Sequence, residues 1–315
     1  MNKKYELLKD NRIFHQGITL YRIRALKDFS DVKAGDLGGY IQREDNLSHE
    51  DNCWVYNEAK VYENAEVYEN ATIHDNAEIS GHAKIFDNAT IYNNAQIFGH
   101  ATVSGNASVF NNAEVYNYAE IFDKAEVYNY AKIYDNAVVY GSAKIYNNAQ
   151  IFERANIHEN ALIFGCAKVF GNAIIFGLAI VHGYASIHGY TQTHGIAKVY
   201  DDAEICDKAE VYNSAIVCEK AYVHGSAIIN KGCIVGDVSM SYKDIFQYRC
   251  ANRILTAILT EHNEILYTIG CQENITEKIF LDRIYHEYGG LQENPHREEY
   301  LKLIPAINLY FKGGK

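Results

Sequence analysis

Proline is nearly absent from this chain, two residues in 315, and tryptophan occurs once and methionine twice. The seven cysteines form no CxxC pair and no regular disulfide spacing, which points to a reducing interior rather than secretion. No run of 18 apolar residues could span a membrane, and the opening MNKKYELLKD lacks the apolar core of a signal peptide, so the expected location is the cytoplasm. Positive charge is also short: 29 Lys and Arg stand against 40 Asp and Glu, a net charge of −11. Residues 1–54 are balanced at 9 and 9, and residues 241–315 hold 9 basic against 10 acidic, so the middle carries −10. Such a surface repels a nucleic-acid backbone, and no direct DNA or RNA binding is expected.

The middle is built on a period of six. Every sixth position from 55 to 235 is Val or Ile at 30 of 31 places, Thr193 being the exception. Every sixth position from 59 to 227 is Ala at 28 of 29 places, and Thr191 is the exception. One unit reads Val67-Tyr68-Glu69-Asn70-Ala71-Thr72. The aliphatic residue points inward while its two neighbours point out. Asp, Asn, Gly and Glu at the next two places suit a tight corner, since Gly and Asn tolerate left-handed backbone. Ala follows because a corner leaves room for little more than a methyl group. Short strands joined by corners must stack coil on coil, which makes the stretch a solenoid.

This pattern, as in Ile85-Phe86-Asp87-Asn88-Ala89, resembles the hexapeptide-repeat left-handed parallel β-helix superfamily. The resemblance implies three hexapeptides per triangular coil, so that residues 18 apart stack on one face. About ten coils would then span roughly 48 Å at the strand spacing of ~4.8 Å. The superfamily contains trimeric acyltransferases that use acyl-CoA and a His base, as well as proteins without catalysis, so the fold does not fix the function.

The flanks depart from the repeat, giving three regions: an N-terminal β cap over 1–54, the β-helix over 55–240 and a C-terminal α+β module over 241–315. In the cap, 5–8 and 19–26 read as strands, and the stretch DVKAGDLGGYI is similar to the opening of bacterial hexapeptide proteins labelled transferases. Gly38-Gly39 is followed by no helical pattern, which excludes a phosphate cradle there. The module reads ββαα: strands over 253–260 and 264–269, a helix from Thr276, and a second helix opened by Asn294-Pro295 and carrying Pro305. Its ILYTIGC and HREEYLKLI segments resemble C-terminal modules of phage hexapeptide proteins.

Three features could carry function. Stacking at 18 residues places His188, Cys206 and His224 in one outward column, a spacing that would suit a Cys–His pair or a thiolate–imidazole metal site. Neither a third fixed ligand nor an acidic orienter is evident beside them, so no metal and no catalytic residue is expected, with these three as the catalytic alternative. The position after each Val or Ile holds 19 Tyr or Phe and 6 His among 30. These should form ladders such as Tyr116, Tyr134, Phe152 and Phe170, which strengthen the sheets. Finally, Leu162, Phe164, Ile174, Phe176, Leu178, Ile180 and Ile196 fall where Glu159 and Lys168 are the only charges between Ala155 and Ala197. An apolar patch on an acidic chain marks an interface.

The expected function is a non-catalytic binding scaffold that forms a homo-oligomer, dimer or trimer, and contacts a host protein or protein complex. The resemblance of the tail to phage modules implies a phage-encoded inhibitor of a host protein or defence complex. The alternative is a trimeric acyltransferase using acyl-CoA; otherwise no cofactor is expected.

Overall fold

The structure is a computed structural model that describes residues 3–229, 234–235, 239–240, 245–250, 253–260, 264–269, 272–285 and 297–312. The chain is a parallel β-solenoid of about eleven coils with an antiparallel N-terminal part and a C-terminal sheet carrying two helices. It divides into two compact units, residues 1–177 and 178–315.

In the first unit each hexapeptide contributes a two-residue strand, and each strand pairs in parallel with the strand 18 residues on. Gln96–Ile97 lies against Glu114–Val115, Thr102–Val103 against Glu120–Ile121, and Ser108–Val109 against Glu126–Val127. Three successive strands thus enter three different sheets, which is the three-per-coil arrangement expected from the repeat. The inward Val, Ile and Ala side chains are fully buried. The first corner residue sits in the left-handed region, with φ of 62° at Asn129, 58° at Asp135 and 70° at Gly141. That explains the preference for Asn, Asp and Gly, since an ordinary side chain there costs about 1–2 kcal/mol. The corners are tied along the stack by side chains: Asn111 Nδ2 donates to Asn129 Oδ1 at 2.8 Å, and Asn129 Nδ2 to Asn147 Oδ1 at 3.0 Å. Asp87 Oδ2 accepts the Gly105 N–H at 2.9 Å.

The N-terminal part converts antiparallel pairing into parallel pairing. Tyr5–His15 and Ile18–Ala25 form an antiparallel hairpin, and the latter pairs antiparallel with Leu37–Ile41. Leu37–Ile41 then pairs in parallel with Lys60–Val61, so coil stacking starts ahead of the regular repeat. Gly38 and Gly39 permit this close approach. A Cβ on Gly38 would lie 2.6 Å from Ile23 Cγ1, and one on Gly39 would lie 2.4 Å from the Ala59 carbonyl oxygen. Lys4 anchors the hairpin: it is buried, and its Nζ donates to the carbonyls of Glu50 (3.1 Å) and Cys53 (2.9 Å). Burial pushes its ammonium pKa down. The Tyr5 hydroxyl adds a bond to the Leu47 carbonyl at 2.7 Å.

The second unit repeats the coil pattern, with Ile180–Val181 on Lys198–Val199, Ser186–Ile187 on Glu204–Ile205, and Gln192–Thr193 on Glu210–Val211. Beyond the coils lies a four-stranded antiparallel sheet in the order Ile245–Cys250, Arg253–Leu259, Ile265–Ile269, Gln272–Thr276. Helices Glu277–Tyr285 and Arg297–Lys312 follow, the second containing Pro305. Phe280, Ile284, Tyr300, Ile304 and Ile307 pack on Leu255, Ala257 and Tyr267. The module is therefore ββββαα rather than ββαα. The two additional strands are the sheet's edges, where only one side is paired and the alternating apolar pattern is weak. Asn294-Pro295 and the 261–263 turn lie outside the described residues. Among the described residues no helix is long and apolar enough to cross a membrane.

Candidate functional site

The best-defined cluster of reactive side chains lies on one sheet of the second unit. A two-residue strand projects the residues before and after its inward aliphatic to the same outer face, so each coil contributes a pair. Three stacked pairs are Ser186 and His188, Glu204 and Cys206, Tyr222 and His224. Parallel register sets Ser186 beside Glu204 and Glu204 beside Tyr222. The backbone holds this grid, with His188 N–H donating to the Ile205 carbonyl at 2.9 Å and Cys206 N–H to the Val223 carbonyl at 2.8 Å.

Within the grid His188, Glu204 and Cys206 bring one ring nitrogen, one carboxylate oxygen and the thiol to within 4.8 Å of one another. His188 Nε2 lies 3.0 Å from Glu204 Oε1. Cys206 is 3% exposed, and its Sγ lies 3.5 Å from the Tyr222 hydroxyl. Burial pushes the Cys206 thiol above its ordinary pKa, with Asp207 and Glu204 adding to the effect and Tyr222 opposing it. The Tyr222 hydroxyl is pushed up to about 12 by its hydrogen bond to Cys206. The thiol is therefore neutral at physiological pH rather than a standing nucleophile.

Of the three residues named from the sequence, His188 and Cys206 come together and His224 does not join them. The His224 ring instead stacks on Tyr222, with centroids 4.7 Å apart. Glu204 supplies the acid that the 18-residue column lacked. It escapes a search at that interval because it stands 16 residues after His188, diagonally across the strand. The same diagonal recurs at His194 Nε2 and Glu210 Oε1, 3.1 Å apart. There Tyr212 occupies the place of the cysteine and stacks on the His194 ring at 5.2 Å.

The apolar residues are placed as follows. In the first unit Leu162, Phe164, Ile174 and Phe176 are half-buried, with Phe164 stacked on Tyr146 and Phe176 on His158. In the second unit Ile180 is half-buried, while Leu178 is 57% and Ile196 54% exposed. Leu178 and Ile196 occupy the corner position just before the Ala place, which is most often Asn elsewhere. The two corners between them carry Tyr184 and Tyr190, exposed by 70% and 67%. Four consecutive corners of the second unit therefore present large apolar groups, and residues 178–197 contain no Asp, Glu, Lys or Arg. Leu178 and Ile196 stack on one corner, and Tyr184 and Tyr190 stand on the other two.

A family model described as YdcK Beta solenoid repeat matches residues 95–111 and 131–147. Over 63 residues the chain is 40% identical to a protein of Escherichia coli (strain K12) described as "Uncharacterized acetyltransferase YdcK". That stretch covers 18% of this chain and 19% of that protein, so the match spans about a fifth of the relative's length. The family-model matches fall on coils of the first unit and do not include His188, Glu204 or Cys206. The 18-residue parallel register, left-handed corner backbone and Ala-lined interior, with the repeat match, fit a hexapeptide-repeat β-helix superfamily.

Proposed function

We propose that this chain is a non-catalytic binding scaffold whose second unit contacts another protein surface through the apolar corner of Leu178 and Ile196, the first occupant being a second copy of the chain. That corner carries this reading. Two large apolar side chains more than half exposed, stacked 18 residues apart on a charge-free stretch of an acidic chain, are costly in water and favourable when covered. Self-association also needs a gap in like charge, and residues 178–197 provide one. The described coils support the same view: from Lys60 to Ile229 the repeat runs without an insertion that could wall a substrate cavity. The furrow lined by Tyr184, Asp201, Glu219 and Lys220, of about 460 Å³, lies open to solvent. A host protein as a further partner, and a phage-borne inhibitory role, rest on the resemblance of the C-terminal segments alone. Solution mass of the parent chain beside that of Leu178→Glu/Ile196→Glu tests the reading.

Acyl transfer from acyl-CoA is the second reading. It is favoured by the description of the E. coli relative as an acetyltransferase and by the His188–Glu204 pair, a carboxylate-oriented imidazole of the kind that serves as a general base. Release of CoA thiol from acetyl-CoA, offered amine, amino-sugar and hydroxyl acceptors, tests it. The scaffold reading expects the parent and His188→Ala to release thiol equally slowly. Acceptor-dependent release that is lost in a folded His188→Ala would establish the enzyme and contradict the scaffold.

A further inference from the structure

We propose that His188, Glu204 and Cys206 form a binding site for one borderline divalent transition-metal ion of the Zn(II) or Co(II) class. The site lies on the sheet of Ser186–Ile187 and Glu204–Ile205, whereas Leu178 and Ile196 stand at the corner leading into the sheet of Ile180–Val181 and Lys198–Val199, so it is independent of the scaffold reading.

The donor set is the first argument. An imidazole nitrogen, a carboxylate oxygen and a thiolate sulfur are the ligand types that zinc takes, and the sulfur discriminates against Mg(II) and Ca(II). Distance is the second. Bonds of about 2.0–2.3 Å at tetrahedral angles put ligand atoms about 3.3–3.6 Å apart. The three donors already lie within 4.8 Å of one another, and the imidazole–carboxylate pair stands at 3.0 Å. Small side-chain rotations, spreading that pair and drawing the sulfur in, complete the triangle without moving backbone.

Rigidity is the third argument. Glu204 and Cys206 flank the buried Ile205 on a single strand, and His188 flanks the buried Ile187 one coil earlier. The ladder therefore fixes all three Cα positions before any ion arrives, which lowers the ordering cost of binding. Glu204 and His188 are part-exposed, leaving a route for the ion and a place for solvent as fourth ligand, while Cys206 forms the buried floor. The parallel pair His194–Glu210 serves as an internal control: with Tyr212 at the cysteine place, it offers only two such donors.

Binding replaces one proton: the Cys206 S–H proton leaves to solvent as the sulfur ligates, while the imidazole of His188 ligates through Nε2 in the tautomer that carries its proton on Nδ1. No oxidant or reductant is involved.

The test is a titration of the full chain, freed of metal and kept reduced, with CoCl₂. The site predicts saturation at one equivalent, with a near-ultraviolet thiolate-to-cobalt charge-transfer band and the intense visible bands of a four-coordinate ion. ZnCl₂ should bleach them by displacement. Cys206→Ser should lose the charge-transfer band, Cys166→Ser and Cys218→Ser should keep it, and Glu204→Gln should raise the Co(II) dissociation constant at least tenfold. Glu204→Gln also serves if Cys206→Ser does not fold. A folded parent without the band, a band that survives in Cys206→Ser, or unchanged affinity in Glu204→Gln would overturn the proposal.

Discussion

The rings of Tyr128 and Tyr146 stack with centroids 4.9 Å apart and planes 5° from parallel. Eighteen residues separate them, and the same interval joins Tyr116 to Tyr134, Phe152 and Phe170 in an unbroken column. Each such cross-strand pair stabilises by about 0.2–1 kcal/mol, so a ladder of them reinforces the hydrogen bonds between coils. The interval follows from three hexapeptides per coil, and the interior must then be uniform along the stack.

Ala131 and Ala137 sit fully buried beside successive corners of the first unit. Leucine at either place has nowhere to extend. Ala131→Leu or Ala137→Leu should lower stability by roughly 1–3 kcal/mol in denaturant unfolding. An unchanged midpoint in both would mean that the corners hold more space than the coil geometry allows.

Thr193 and Thr191 interrupt the two inward columns. Both are fully buried, and neither hydroxyl has a hydrogen-bond partner. An unpaired buried polar group costs about 1–3 kcal/mol, so Thr193→Val, nearly the same shape, should stabilise the second unit by something on the order of 1 kcal/mol. Thermal unfolding checks the sign. A lower melting temperature in Thr193→Val would show that this hydroxyl is needed.

His158 stacks between Tyr140 and Phe176 at 4.9 and 5.1 Å, and burial pushes its pKa below the ordinary value of 6.5. The unfolded chain therefore binds this proton more readily than the folded one. Stability from the neutral ring is fully present above 6.5 and falls as pH drops through that value toward the lower folded pKa. His158→Phe keeps the ladder and removes the titration. Its melting temperature should decline less between pH 7 and pH 5 than that of the parent. An identical decline would place the acid sensitivity elsewhere.

The solenoid was legible because a coil repeats one local solution. Val67, Ala71 and Asn70 each report their role through residue type, and the period states the stacking interval. The site was only half legible. His188 and Cys206 share a column and can be found by counting eighteens, whereas Glu204 meets His188 through the width of a strand, which a single-column count does not sample. The apolar corner was legible by the same count of eighteens: Leu178 and Ile196 stand out among polar turn residues, whereas Tyr184 and Tyr190 stand on the other corners. At the C-terminus the paired runs at Arg253–Leu259 and Ile265–Ile269 announce a hairpin, while the edge strand Gln272–Thr276 has the polar composition of a loop.

The association of the second unit is decided by light scattering on the full chain, in parallel with Leu178→Glu/Ile196→Glu. The substitutions put carboxylates on two side chains already more than half exposed, so the coils should fold unchanged, which circular dichroism verifies. The Leu178–Ile196 corner predicts that the parent has a mass that is a multiple of 35.7 kDa and that the double variant falls to 35.7 kDa. A parent that is already monomeric, or a variant that keeps the parent's mass, would contradict it.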